Sequence, residues 1–237
     1  MTDHTISAYD EELAQLDKKI AQMGGLTEYN LGQAFDALVR RDPELARRVI
    51  KEDTNIDALQ REIEEQVVLM IARRQPMADD LRHIMACLKI AGDLERVGDL
   101  AKNMAKRVVA IAEQVFPRPL IVGLQHMLER SLMQLKDVLD AYSDRNADLA
   151  VAVWNRDEQL DEMFNSVFRE LLTYMMEDPR NIGACTHLLF GAKNLERIGD
   201  HATNIAETVY YVVHGEELAG ARPKRDTTSS TLIKPQD

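Results

Sequence analysis

The 237-residue chain has few of the residues that build turns, with seven prolines and eleven glycines. A β-sandwich or barrel needs turn signals roughly every ten residues, so this composition argues against one and suits long helices. There are only two cysteines, Cys87 and Cys185, and neither belongs to a C-x-x-C pair. A zinc ribbon or disulfide framework is thereby excluded; both residues lie in apolar helical patterns and read as small core side chains in a reducing compartment. No apolar run approaches the length of about 18 residues that a membrane span requires; the most apolar stretches are Val67–Ala72 and His187–Ala192. The opening MTDHTISAYDEEL lacks a basic region followed by an apolar one, so no signal peptide is expected and the protein is read as soluble and cytoplasmic. Basic residues are the minority, 29 against 40 acids, for a net charge of −11. Binding to a phosphate backbone depends on Lys and Arg, so a nucleic-acid partner is disfavoured.

What is present is helical periodicity. Asp42-Pro43, Gln75-Pro76, Pro117–Pro119 and Asp178-Pro179 each precede a long apolar-periodic segment, and Ser143-Asp144-Arg145-Asn146 supplies another turn. Proline at the first helical position behind a capping Asp marks a helix start. This punctuation predicts six long helices, at about 8–41, 43–74, 77–114, 119–143, 146–177 and 180–214. Ile56, Leu59, Ile63, Val67 and Met70 form the stripe of the second; Leu94, Val97, Ala101, Met104 and Val108 form that of the third. Each stripe is a face that must be buried against other helices.

An internal repeat decides the architecture. The segment from Leu94 to Ala105, LERVGDLAKNMA, recurs from Leu195 to Ala206 as LERIGDHATNIA, with eight of the twelve positions identical. Earlier in each half, Leu45, Ala46, Val49, Asp53 and Asp57 match Leu149, Ala150, Val153, Asp157 and Asp161. A period near 100 residues exceeds the roughly 20–45 residues of a solenoid repeat. The expected fold is all-α: two tandem three-helix bundles made by duplication and related by a pseudo-two-fold. The first covers 8–114, the second 115–214, and 215–237 reads as a mobile tail of mixed charge.

The repeat carries acids in pairs. Asp53 and Asp57, Glu95 and Asp99, Asp157 and Asp161, Glu196 and Asp200 are each spaced i, i+4, hence stacked on one helix face. Like charges so placed repel by a few tenths of a kcal/mol, and Asp is a poor residue for a helix interior. Each pair borders the apolar stripe of its helix, so neighbouring helices bring two pairs together. Four converging carboxylates suit a hard or borderline divalent or trivalent metal. Asn103 and Asn204 extend the two lines by a turn, as further oxygen donors or outer hydrogen-bond partners. Gly98 and Gly199, between the acids, point to close helix approach or room for something bound. The plainer alternative is a solvated acidic face bridged by Arg96, Lys102 and Arg197.

Other motifs are absent. There is no H-E-x-x-H, and no E-x-x-H of the kind used by ferritin-like di-iron proteins. No Walker loop, G-x-G-x-x-G or G-x-S-x-G occurs. His83, His126, His187, His201 and His214 do not recur at equivalent places in the two halves, and no nucleophile stands with a base. No catalytic activity is expected.

Glu95-Arg96-Val97-Gly98-Asp99 and Glu196-Arg197-Ile198-Gly199-Asp200, each preceded by an Asp-x-x-x-Asp one helix earlier, resemble the PhoU family of phosphate-uptake regulators. Ala72–Pro76 and Leu172–Asp178 resemble segments of its bacterial members, and the likeness spans about residues 8–214. The resemblance implies a duplicated three-helix bundle binding iron, zinc, manganese or magnesium, in multinuclear clusters, through acidic motifs that correspond to Asp53, Asp57, Glu95, Asp99, Asp157, Asp161, Glu196 and Asp200. It also implies a non-enzymatic, homodimeric negative regulator of phosphate uptake and of the starvation response. Such a protein would link the ATPase subunit of the phosphate ABC transporter (PstB) to a sensor histidine kinase (PhoR), reaching the membrane only through its partners. The alternatives from other classes are a carboxylate–metal hydrolase and a generic helical scaffold.

Overall fold

The computed structural model describes residues 2–114, 118–220 and 222, with the side chains of 2–8 and 118–119 left aside. The described residues form seven α-helices and no strand: α1 (Thr2–Arg40), α2 (Pro43–Arg74), α3 (Ala78–Ile111), α4 (Arg118–Ser143), α5 (Ala147–Trp154), α6 (Asp157–Glu177) and α7 (Ile182–His214). The proline signals work unequally. Pro43 is the first residue of α2, and the Asp42 carboxylate accepts from the backbone N–H groups of Glu44 and Leu45. Pro179 opens a single 3-10 turn ahead of α7, while Pro76 lies outside α3 altogether. Gln75 instead ends α2 in the left-handed region.

The single helix expected at 146–177 is two. α5 stops at Trp154, and Asn155 and Arg156 form a turn before α6 starts at Asp157. The equivalent positions in the first half are Lys51 and Glu52, good helix formers, whereas Asn155 is a poor one. Helix α4 secures the break: Gln134 Nε2 donates to the Arg156 carbonyl at 3.1 Å, and the Arg156 guanidinium meets Asp137 at 2.5 Å. Asp157 thus occupies the first turn of α6, where the helix dipole favours a negative charge.

α1, α2 and α3 pack on one another, and α4, α5 and α6 pack on α7. Both predicted stripes are buried in full. The two halves also meet, α3 against α7 and α1 against α4, so the buried apolar residues of both bundles form one continuous core. The motif-bearing helices therefore stand back to back at the centre.

The repeated glycines sit where α3 and α7 meet their acidic neighbours. A Cβ on Gly98 would stand 3.0 Å from Ile56 Cδ1 and 3.3 Å from Asp53 Oδ1; one on Gly199 would stand 2.6 Å from Leu160 Cδ2 and 3.0 Å from Gln134 Oε1. Gly25, by contrast, is exposed with nothing within 4 Å of such an atom. Gly25→Ala should therefore stabilise the protein by about 0.5–1 kcal/mol through helix propensity alone. Gly199→Ala should instead destabilise it by about 1–3 kcal/mol, because Leu160 is fully buried and has nowhere to retreat. Urea denaturation of the two variants checks the opposite signs.

Candidate functional site

Close approach of α2 to α3 gathers the first four acids. Asp53 is buried, and Lys102 on α3 donates to its Oδ2 at 2.6 Å and to Asp99 Oδ1 at 3.0 Å. Burial raises the Asp53 carboxyl above its ordinary range more than Lys102 lowers it, and Asp57 and Asp99 add to the rise. Glu95 is raised chiefly by burial and then by Asp99, Asp57 and Asp53, with Arg96 opposing at 3.6 Å. The four carboxylates thus feel one another, and Lys102 is bridged between two of them.

The second cluster, on α6 and α7, is drier. Asp157, Asp161 and Glu196 are all buried, and Asp200 is partly so. The position that holds Lys102 in the first half holds Thr203 here, whose hydroxyl lies 3.1 Å from Asp157 Oδ1 and 3.0 Å from the Gly199 carbonyl. The cation comes from elsewhere. Arg222, in the stretch read as a tail, forks onto Asp157 at 2.8 and 3.0 Å and reaches Asp200 Oδ1 at 2.6 Å and Asn204 Oδ1 at 3.4 Å. The rest of that stretch, 223–237, lies outside the described residues. Lys193 pairs with Glu196 Oε1 at 3.0 Å, but Glu196 Oε2 is buried without a hydrogen-bond partner among the described residues. Burial pushes Glu196 up to about 7; Asp200 and Asp161 reinforce the rise against Lys193.

Of the two asparagines placed beside the acids by the sequence, Asn103 is exposed. Asn204 joins the second cluster through Arg222 and donates to Asp93 Oδ1 on α3 at 3.3 Å. Asp93 also holds His201 Nδ1 at 2.8 Å, at the edge of a groove of about 970 Å³ between α3 and α7. His201 is therefore engaged across the two halves, which its lack of a repeat partner did not suggest.

The eight carboxylates fall into two groups, one on α2 and α3 and one on α6 and α7, and carboxylate oxygen is a donor type that suits hard cations. Their oxygens are spread, with Lys102 and Arg222 each bridging two carboxylates: among the described residues, three ligand-type atoms come within 4.8 Å of one another only at Asp17, His83 and Cys87. That trio joins α1 to α3, with Tyr142 of α4 completing it. Tyr142 donates to Asp17 Oδ1 at 2.5 Å, Cys87 Sγ lies 3.0 Å from the phenol oxygen, and His83 Nε2 lies 2.7 Å from Asp17. Arg145 donates to His83 Nδ1 at 2.8 Å, so the proton of a neutral ring belongs on Nε2, facing Asp17. Burial pushes the Cys87 thiol up to about 12. These contacts make a hydrogen-bonded knot between the halves; a metal held there would displace the thiol proton and take His83 Nε2 from Asp17. The sequence signal was the i, i+4 spacing of His83 and Cys87; Asp17 and Tyr142 are too distant along the chain to be read with them.

The PhoU domain model matches the chain twice, at residues 20–108 and 124–209. The chain belongs to the PhoU family. Two matched units agree with duplication and leave the helix arrangement as expected, apart from the break at Asn155. The phosphate-specific transport system accessory protein PhoU homolog of Rhizobium meliloti (strain 1021) is 56% identical over 227 residues, 96% of each chain. Its counterpart in Caulobacter vibrioides is 52% identical, covering 97% of this chain and 100% of the relative. The crystal structure of PhoU from Pseudomonas aeruginosa superposes with a TM-score of 0.84 at 39% identity, covering 88% of this chain and 100% of that one. The PhoU family relatives are named as accessory proteins of a transport system, in keeping with the expected lack of catalysis.

Two predictions test the electrostatics. Lys102→Met leaves Asp53 buried and uncompensated, and should cost about 2–4 kcal/mol in urea denaturation; adding Asp53→Asn should restore most of it. For Glu196, the unfolded chain loses the proton near 4.5 and the folded one near 7. Its favourable contribution is thus complete below about 4.5 and lost as pH rises to 7. In chelator-treated protein, Glu196→Gln should match wild type at pH 4.5 and exceed it by about 1–3 kcal/mol at pH 8. Parallel stability–pH profiles would refute the assignment.

Proposed function

We propose that this chain is the negative regulator of phosphate uptake and of the starvation response in its cell. It acts in the cytoplasm as a homodimeric adaptor between the ATPase subunit of the phosphate ABC transporter and its sensor histidine kinase. The observation that carries the reading is the near full-length identity to relatives named as accessory proteins of the phosphate-specific transport system. In this reading its contact with membrane components runs through partners; no helix among the described residues is long and apolar enough to cross a membrane. The working unit comprises both repeats, 8–114 and 115–214, with 215–237 attached.

In this reading the two acidic clusters bind metal ions: iron, zinc, manganese or magnesium. Asp53, Asp57, Glu95 and Asp99 would hold one centre, and Asp157, Asp161, Glu196 and Asp200 the other. The donor set is all oxygen, and the orphaned Glu196 Oε2 is a buried acceptor that a cation would satisfy. A metal bound there would supply positive charge that offsets the repulsion among the carboxylates.

Deletion of the gene should release phosphatase expression at high phosphate, and an unchanged expression level would sink the regulatory reading. A pull-down from phosphate-replete cells tests partner and site together. The wild-type chain should retain the transporter ATPase and the kinase, whereas Asp99→Ala with Asp200→Ala should lose at least one of them.

A further inference from the structure

The two acidic clusters are repeats in sequence but are closed by different devices. In the first, the compensating cation is Lys102, three residues along the same helix from Asp99. In the second that position is Thr203; Lys193 pairs with Glu196, and the cation on Asp157 and Asp200 is Arg222, eight residues beyond the end of α7. Its side chain is 18% exposed, and the guanidinium uses a two-pronged fork on Asp157 and a further N–H on Asp200, so it joins the start of α6 to α7. The segment leading to it is itself seated. Leu218 packs on the core, and a Cβ on Gly220 would lie 3.9 Å from Trp154 Cη2. With Arg222 seated, Glu196 Oε2 is still a buried oxygen without a hydrogen-bond partner among the described residues.

We propose that Arg222 is an internal plug of the second acidic cluster: a cation binds at Asp157, Asp161, Glu196 and Asp200 only when the post-α7 segment lifts away. The inference rests on the metal-binding reading given under Proposed function and adds to it an asymmetry between the halves. At the first cluster Lys102 swings aside on its own flexible stem and no backbone moves. At the second, the arginine is carried by a segment that lies over Trp154, so occupancy of the cluster decides where that segment sits. Metal status is thereby converted into the position of the segment that carries Leu218 and Arg222, a change that a partner protein can read.

The test uses the full-length chain carrying Glu95→Gln and Asp99→Asn, which silences the first cluster. Mn²⁺ is titrated while free Mn²⁺ is followed by its electron paramagnetic resonance signal. The emission wavelength of Trp154, the chain's single tryptophan, reports the segment above it. With Arg222 intact, Mn²⁺ should bind weakly and shift the emission to the red. Arg222→Ala should start red-shifted, bind Mn²⁺ about tenfold more tightly or better because no closed state competes, and show no further shift. Arg222→Lys, which cannot fork, should fall between. Equal Mn²⁺ affinity in all three with silent Trp154 emission overturns the plug and leaves the metal site standing, as does weaker binding in Arg222→Ala. No Mn²⁺ binding in any of them overturns the metal reading and the plug together.

Discussion

The constraint on which this structure turns is that carboxylates placed beside an apolar core must be compensated. Asp53, Asp157, Asp161 and Glu196 are buried almost completely, and an isolated ionised carboxylate in such surroundings is costly. Three answers are in use at once. Lys102 and Arg222 bring opposite charge, Thr203 brings a hydroxyl, and Glu196 is shifted toward its neutral form. The acids are so close because Gly98 and Gly199 let α2 and α6 approach nearer than any side chain would allow. Glycine in a helix interior sacrifices about 1 kcal/mol relative to alanine. That its repetition coincides with the acids in both halves ties backbone packing and site electrostatics to the same residues.

The duplicated plan was legible because it is local and periodic. Stripes such as Ile56, Leu59, Ile63, Val67 and Met70 recur at helical spacing, and all are buried. The motif around Glu95 could be laid directly over that around Glu196. Proline punctuation was legible in part: Asp42-Pro43 is a true cap and first turn, whereas at Gln75 the chain turns through a left-handed residue and α3 begins past the proline. The break at Asn155 was hidden because Val153 and Leu160 keep the apolar rhythm going through it. Only the hold of Gln134 and Asp137 on Arg156 reveals the turn.

The sites were half legible for a related reason. Spacing along one helix tells which acids share a face, and packing of α2 on α3 and of α6 on α7 brings the pairs together. It says nothing about cations from another element. Arg222 stands in a stretch without apolar period, and no pattern within that stretch points to Asp157, 65 residues earlier. The knot of Asp17, His83, Cys87 and Tyr142 draws on three helices, with sequence separations of up to 125 residues. Long-range polar contacts leave no periodic trace; they follow only from the fold.

These contacts connect as well as compensate. Arg222 touches Asn204 on α7, Asn204 donates to Asp93 on α3, and Asp93 lies two residues before Glu95 of the first cluster. His201, next to Asp200, grips the same Asp93. The second cluster is thus joined to the helix that carries half of the first by a short path of hydrogen bonds across the α3–α7 seam. A fold built from two copies of one unit would titrate identically at both sites if the copies were alike. Replacing lysine by threonine at one position, and supplying the missing charge from outside the bundle, makes the copies unequal while keeping the seam between them. The duplication supplies a pair of acidic clusters, and the difference between Lys102 and Thr203 makes the pair unequal.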